Sequence, residues 1–267
     1  MKKDIRVLIV EDDAYARDLM ALLLTRDWRT QVIGEVGKKE GVAKFLDHVQ
    51  GPVDLIILDT ENPRGPNWPF DITEQLQQLP KSPVILYTAT RPDADIIRRL
   101  TRIGFGGYVL KGEIHYALAT AARLAYTGKT VVTPGVLQVV PRRGFAPGTV
   151  VLDGRKLATG LTEREVELVR LGIIFNLSLR DIADELVLSS GWVSEIVSTI
   201  YKKMGMREIL TGETPLDVVF EDEAILSRSR QIMARGPKGE ARRKLRKAPW
   251  MATLAFHLLT QPERDEL

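Results

Sequence analysis

The sequence predicts an α/β domain with a doubly wound parallel sheet, followed by an all-α helix-turn-helix domain and a helical C-terminal extension. Three observations predict it. Short apolar runs alternate with amphipathic helical periods from residue 5 to 126, a stretch rich in Pro and Gly then interrupts that alternation, and a series of short capped helices follows. At 267 residues the chain is long enough for two domains, each able to bury its own core.

Four apolar runs read as buried strands: Arg6-Val-Leu-Ile-Val10, Val53-Asp-Leu-Ile-Ile-Leu58, Pro83-Val-Ile-Leu-Tyr87 and Gly107-Tyr-Val-Leu110. Between and after them, Ala16, Leu19, Met20 and Leu23 keep one face of a first helix. Ile96, Ile97 and Leu100 keep one face of a fourth, and Ile114 to Tyr126 reads as an alanine-rich fifth. From Thr127 to Gly160 the periodicity weakens around Pro134, Pro141, Pro147, Gly144, Gly148 and Gly154. That stretch reads as a linker with short strands near Val136 to Val140 and Val150 to Leu152.

In the second half, Thr162 is placed to cap a helix, with Glu165 three residues on in capping-box spacing, and Asn176 reads as its stop. Ser178 then caps Leu179 to Leu186, and Ser189 caps Gly191 to Met204, a helix-turn-helix pattern. Thr214 as N-cap, Pro215 at the first helical position and Asp217 in the first turn open a further helix. Its stripe of Leu216, Val219, Phe220, Leu226 and Met233 runs to Gly236-Pro237. A last helix starts near Pro249, with Trp250, Leu254 and Leu258 on one side. The predicted divisions are 1–127, a linker 128–158, 159–222 and an extension 223–267.

The absence of cysteine excludes a disulfide framework and thiol chemistry. No apolar run approaches the ~20 residues of a membrane span, and Met1-Lys-Lys-Asp4 leads into a strand, so the expectation is a cytoplasmic protein with no membrane partner. The net charge of +3 is unevenly spread. Residues 1–126 hold 17 basic and 17 acidic groups and residues 161–207 hold 6 and 7, whereas residues 228–247 hold 9 and one. Any electrostatic footprint for a polyanion therefore lies in the tail.

Glu11, Asp12, Asp59, Thr88 and Lys111 each stand where an apolar run ends. Side chains just past the carboxyl ends of parallel strands converge on one crevice at the topological switch point. A few carboxylate oxygens suit a hard dication such as Mg²⁺, and Asp59 on the central strand is the candidate nucleophile for phosphoryl transfer. Lys111 offers a point charge for phosphoryl oxygens and Thr88 a hydroxyl. Solvated loop acids or helix caps would explain any one of these residues, but not all four strand ends in this order.

This set resembles the receiver domain of two-component response regulators over about residues 4–127. The resemblance implies a five-stranded sheet of order 2-1-3-4-5, bound Mg²⁺ and phosphorylation of Asp59 by a histidine kinase. It makes Glu11 and Asp12 the acidic metal pair, with Asp59 and the backbone carbonyl of Glu61 as further ligands. Thr88, followed by Ala89, becomes the switch hydroxyl, Tyr108 the aromatic whose rotamer follows phosphorylation, and Lys111 the phosphate-pairing lysine. The chain departs from the family pattern at Asn62, Asn67 and Gly112.

Leu161-Thr-Glu-Arg-Glu165, Ile182-Ala183, Val193, Ile200 and Lys203-Met-Gly-Met206 resemble the NarL/LuxR-type DNA-binding domain, with one extra residue near Gly172. The resemblance implies a four-helix domain that dimerises on DNA. The candidate DNA contacts are Trp192, Ser194, Glu195, Ser198, Thr199, Lys202 and Lys203. Trp192, Ser194 and Ile196 replace the Thr, Lys or Arg, and His usual on the reading face. Because this helix is poor in the charge that drives counterion release, Arg242, Arg243, Lys244, Arg246 and Lys247 of the tail are candidate phosphate contacts.

The function expected is a phosphorylation-controlled, DNA-binding transcriptional regulator, not an enzyme, that forms a homodimer on activation. The alternative is a phospho-gated adaptor that binds RNA polymerase or another regulator and reads no base sequence. His48, His115 and His257 lie in separate helical contexts and suit solvated or packing roles.

Overall fold

The computed structural model describes residues 4–61, 67–103, 105–156, 160–235 and 249–260. The chain divides into two compact units, one built mainly from residues 3–155 and the other mainly from residues 156–261.

The first unit is a parallel sheet flanked by helices. Its strands are β1 (Ile5–Val10), β2 (Thr30–Val36), β3 (Leu55–Asp59), β4 (Val84–Ala89) and β5 (Gly107–Leu110), extended by β6 (Val131–Val132) and β7 (Val150–Val151). Every neighbouring pair is parallel and the order is β2-β1-β3-β4-β5-β6-β7. The order 2-1-3-4-5 is thus present, in a sheet of seven strands rather than five. All five residues of β3 are buried, as a central strand covered by helices on both faces requires. Helices α1 (Ala14–Arg26), α2 (Lys39–His48), α3 (Trp68–Gln77) and α4 (Ala94–Ile103) come after the first four strands in turn. Met20 and Leu23 of α1 and Ile97 and Leu100 of α4 turn into the core, while Leu19 stays 43% exposed.

The expected fifth helix is broken. It consists of α5 (Lys111–Ile114), a 3-10 turn at His115–Ala117, and α6 (Leu118–Tyr126), with His115 at φ +40° at the break. The stretch expected as a linker joins the sheet instead. Its first strand lies at Val131–Val132, and the segment expected as a strand near Val136 is α7 (Pro134–Val139), started by Pro134 and burying Val136. Gly107, at φ +154°, permits the β5–β6 pairing, since a Cβ there would sit 2.0 Å from the Val131 carbonyl oxygen.

In the second unit α8 (Glu163–Val169) begins with the expected capping box: Thr162 N–H donates to Glu165 Oε2 at 2.7 Å and Glu165 N–H to Thr162 Oγ1 at 3.3 Å. The helix continues as a π-helix over Arg170–Ile174, around the extra residue near Gly172, and closes through Phe175 N–H to Arg170 O at 2.9 Å. Asn176 ends it at φ +57°, as its side chain allows. Ser178 caps α9 (Leu179–Glu185) and Ser189 caps α10 (Ser190–Lys203). Next come α11 (Met206–Thr211), α12 (Leu216–Val219), α13 (Glu223–Arg235) and α14 (Pro249–Leu259).

The single helix expected after Thr214 is therefore two, α12 and α13. Pro215 is the N-cap of the first rather than its first helical residue, and the chain is extended at Phe220. Of the expected stripe, Phe220 and Leu226 are buried whereas Leu216, Val219 and Met233 are half-buried; Leu168, Ile174, Ile182, Val193 and Ile200 are buried as well.

Candidate functional site

Parallel register brings the strand ends to one level: Val10 pairs with Leu58, Asp59 with Thr88 and Thr88 with Val109. Residues at or just past these ends must therefore meet, and Glu11, Asp12 and Asp59 do. One carboxylate oxygen of each lies within 4.8 Å of the others. Glu11 and Asp59 are each 2% exposed, and Asp12 is exposed to solvent.

Lys111, directly after β5, places its Nζ 2.7 Å from Glu11 Oε2 and 2.8 Å from Asp59 Oδ1. Apart from that ammonium, neither oxygen has a hydrogen-bond donor among the described residues. Burial raises the Asp59 carboxyl to about 6; Lys111 pulls it down and the Glu11 charge pushes it up. Burial also raises Glu11 against the pull of Lys111. For Lys111 burial works against the charge, but the two carboxylates outweigh it and hold the ammonium above its ordinary range. One cation among three carboxylates leaves a negative excess. Buried, otherwise unsatisfied hard oxygens of this kind fit a dication.

Thr88 is fully buried, and its Oγ1 has no hydrogen-bond partner among the described residues. Tyr108 is also fully buried, its hydroxyl 3.0 Å from Thr60 Oγ1, and burial raises its phenol. It lies on an interior strand, because β6 covers β5. Thr60 also bonds the Thr88 carbonyl through its N–H at 2.9 Å and its hydroxyl at 3.2 Å. Glu61 donates its N–H to Asp59 Oδ2 at 3.1 Å, and its carboxylate accepts from Thr90 N–H at 2.6 Å and Arg91 N–H at 3.0 Å.

Sequence reasoning missed three groups in this crevice. Thr60 and the Glu61 side chain are two, and Arg17, whose guanidinium donates to the Glu11 carbonyl at 2.7 Å, is the third. For Glu61 the available signal was an acidic residue two places beyond the central Asp. Of the departures from the family pattern, Asn62 lies outside the described residues. Asn67 is described and accepts a hydrogen bond from Arg99 at 3.1 Å.

The family profile of the response regulator receiver domain matches residues 7–123. The chain carries a receiver domain. The chain is also similar to the Fimbriae Z protein of Escherichia coli K12, 25% identical over 209 residues that cover 78% of this chain and 94% of that one. Transcriptional regulatory protein DesR of Bacillus subtilis 168 is 26% identical over 210 residues, covering 79% and 95%. Among solved structures, the RcsB response regulator of Salmonella typhimurium aligns with a TM-score of 0.45 at 17% identity, covering 86% of this chain and 99% of that one. No described helix is long and apolar enough to cross a membrane.

In the second unit, Trp192, Ser194, Glu195, Thr199 and Lys202 of α10 are exposed, while Val193 and Ile200 are buried. Ser198 is half-buried, and the Thr199 hydroxyl donates to Glu195 O at 3.1 Å. Lys203 is exposed as well, with its Nζ 2.7 Å from Glu165 Oε2 and 3.2 Å from Gly160 O. The tail candidates Arg242, Arg243, Lys244, Arg246 and Lys247 lie outside the described residues.

Proposed function

We propose that Asp59 accepts a phosphoryl group from a histidine kinase and that the modified protein regulates transcription by binding DNA through α9 and α10. The observation that carries the first half is the Lys111 ammonium within 2.8 Å of both Asp59 and Glu11. An Asp59 oxygen attacks phosphorus, the P–N bond to the kinase histidine breaks, and that imidazole leaves with the bonding pair. Lys111 is placed to pair with the arriving phosphoryl oxygens. Thr88 Oγ1, buried on the next strand, is an uncommitted hydroxyl for the new group.

Glu11, Asp12, Asp59 and the backbone carbonyl of Glu61 would hold Mg²⁺, which neutralises charge during transfer. The added phosphoryl charge shifts the protein only as far as it interacts differently with the two conformations. Homodimer formation on activation is part of this reading. The experiment is labelling by a small phosphodonor such as acetyl phosphate, with and without Mg²⁺. Label that depends on Mg²⁺ and disappears in Asp59→Asn supports the reading; label that persists in that variant refutes it.

DNA binding is supported by relatives such as DesR, whose name describes a transcriptional regulator and which this chain matches almost end to end. A second reading is favoured by a specific observation: Lys203 is tied to Glu165, and Glu195 and Trp192 are exposed, so α10 presents little cationic charge. That face suits a protein partner such as RNA polymerase or another regulator. Selective enrichment of genomic DNA fragments on the purified protein decides for DNA, and its absence decides for the adaptor.

A further inference from the structure

Glu61 makes hydrogen bonds to two loops at once. Its backbone N–H holds Asp59 Oδ2 at 3.1 Å, and its carboxylate takes two consecutive amides, Thr90 N–H at 2.6 Å and Arg91 N–H at 3.0 Å. Those amides belong to the segment between the end of β4 at Ala89 and the start of α4 at Ala94. The same segment carries Asp93, whose Oδ1 accepts from Asp95 N–H and Ile96 N–H at 2.9 and 3.0 Å and so fixes the first turn of α4. A carboxylate that grips two backbone amides is a charge-assisted contact, stronger than a neutral one. Burial pushes the Glu61 carboxyl up, but the Thr90 side chain and the two amides outweigh it and hold it below the ordinary range. The grip therefore depends on the negative charge of Glu61.

The Glu61 backbone is bonded directly to the Asp59 carboxylate, so the Glu61 carboxylate stands two residues from the phosphoacceptor and close to any charge added there. A phosphoryl group on Asp59 would replace a single negative charge by roughly two, at a site already bonded to the Glu61 backbone. The crevice cation, Lys111, is already shared between Asp59 and Glu11.

We propose that Glu61 is a positioning residue that latches the β4–α4 loop to the phosphoacceptor loop in the unmodified protein and releases it when negative charge accumulates on Asp59. The release half rests on the reading of Asp59 as phosphoacceptor; the latch half does not. Thr88, on the strand leading into this loop, would sense the phosphoryl group by attraction, whereas Glu61 senses it by repulsion. The β4–α4 segment is thus held from two sides by groups that respond oppositely to the same charge.

The test is residue-resolved amide hydrogen exchange on the full chain, comparing wild type, Glu61→Ala and Glu61→Gln, each with and without beryllofluoride as a phosphoryl mimic. Circular dichroism confirms that each variant folds. Without the mimic, the Thr90 and Arg91 amides of wild type should be protected at least about tenfold over Glu61→Ala. Glu61→Gln, which keeps an acceptor oxygen but no charge, should fall between. Beryllofluoride should reduce wild-type protection toward the Glu61→Ala level and leave Glu61→Gln nearly unchanged.

Equal exchange in wild type and Glu61→Ala without the mimic would overturn the latch. Unchanged wild-type protection while ¹⁹F resonances show bound beryllofluoride would overturn the release. If the ¹⁹F spectrum shows no bound mimic, the phosphoacceptor reading fails and the release fails with it, while the comparison without the mimic still decides the latch.

Discussion

The strand-end crevice and the helix-turn-helix each bring a lysine against a buried or half-buried carboxylate, and the two pairs serve opposite ends. Lys111 lies between Glu11 and Asp59 at the mouth of a sheet, where both carboxylate oxygens otherwise lack partners. Lys203 joins α10 to the capping-box residue Glu165 and to the Gly160 carbonyl, which completes the domain's internal bonding. In the first region the cation leaves a reactive excess of negative charge. In the second it is tied to a capping residue and a backbone carbonyl, with its side chain still 38% exposed. The same ion pair therefore marks chemistry in one region and architecture in the other, and what separates them is whether the oxygen facing the lysine has a second donor, as Glu165 Oε2 has in Thr162 N–H.

The largest test of that contrast is the nucleophile itself. Asp59→Asn is expected to abolish phosphodonor labelling by at least about three orders of magnitude, because the amide oxygen is no nucleophile at neutral pH. The labelling assay in the presence of Mg²⁺ measures it directly.

Next is Lys111→Ala, which strips two buried carboxylates of their cation. Removing one partner of a buried pair costs about 3 kcal/mol, so urea unfolding in chelator should shift by that amount, and added Mg²⁺ should recover part of it. An unchanged midpoint would mean that Lys111 is as dispensable as a surface lysine.

A smaller effect comes from pH. The Asp59 carboxyl is raised by burial from 3.8 to about 6. A group raised in the folded state contributes stability below its unfolded value and loses it as pH climbs through the folded one. In chelator, Asp59→Asn should therefore match wild type near pH 3.5, gain on it between about 4 and 6, and stand roughly 3 kcal/mol above it at pH 7. Urea unfolding at stepped pH tracks this; a constant difference across the range would rule out titration of Asp59 in that window.

The smallest effects probe the other region. Glu195→Lys adds a cation to the exposed face of α10 and should steepen the log-log salt dependence of DNA binding by about one. Lys203→Ala should leave that slope unaltered and instead reduce stability by ~1 kcal/mol, through loss of its bond to Glu165. A slope that falls with Lys203 would show that this lysine reaches phosphate after all.

The crevice was legible because two strong patterns locate it. Short apolar runs mark buried strands, and parallel pairing brings the residues just beyond each strand to a common level, so Glu11, Asp59, Thr88 and Lys111 could be assembled from positions alone. The capping boxes at Thr162 and Ser178 were legible in the same way, from side chains whose bonding is local. Thr60 and Glu61 escaped because their bonds run to backbone groups of β4 and of the loop after it, and a backbone group has no sequence signature. The two-residue strand β6 escaped because a pair of valines carries no periodicity, and α7 is ambiguous in sequence because Val136 and Val140 suit a strand or a helix equally until Pro134 is given its weight. The break at His115, at φ +40°, escaped because the alanine-rich run favours an unbroken helix.

The added strands also decide what the sheet can recruit. Without β6 and β7, the row of donors and acceptors along β5 would be an open template for a strand from another molecule. The outer strand on this side is instead Val150–Val151, only two residues long. A neighbouring chain could add only a couple of backbone hydrogen bonds there, too few to offset the entropy of ordering it. On this side the receiver is sealed by brevity, without the charged or proline guards that longer edges need, and chain-to-chain polymerisation across it has no foothold.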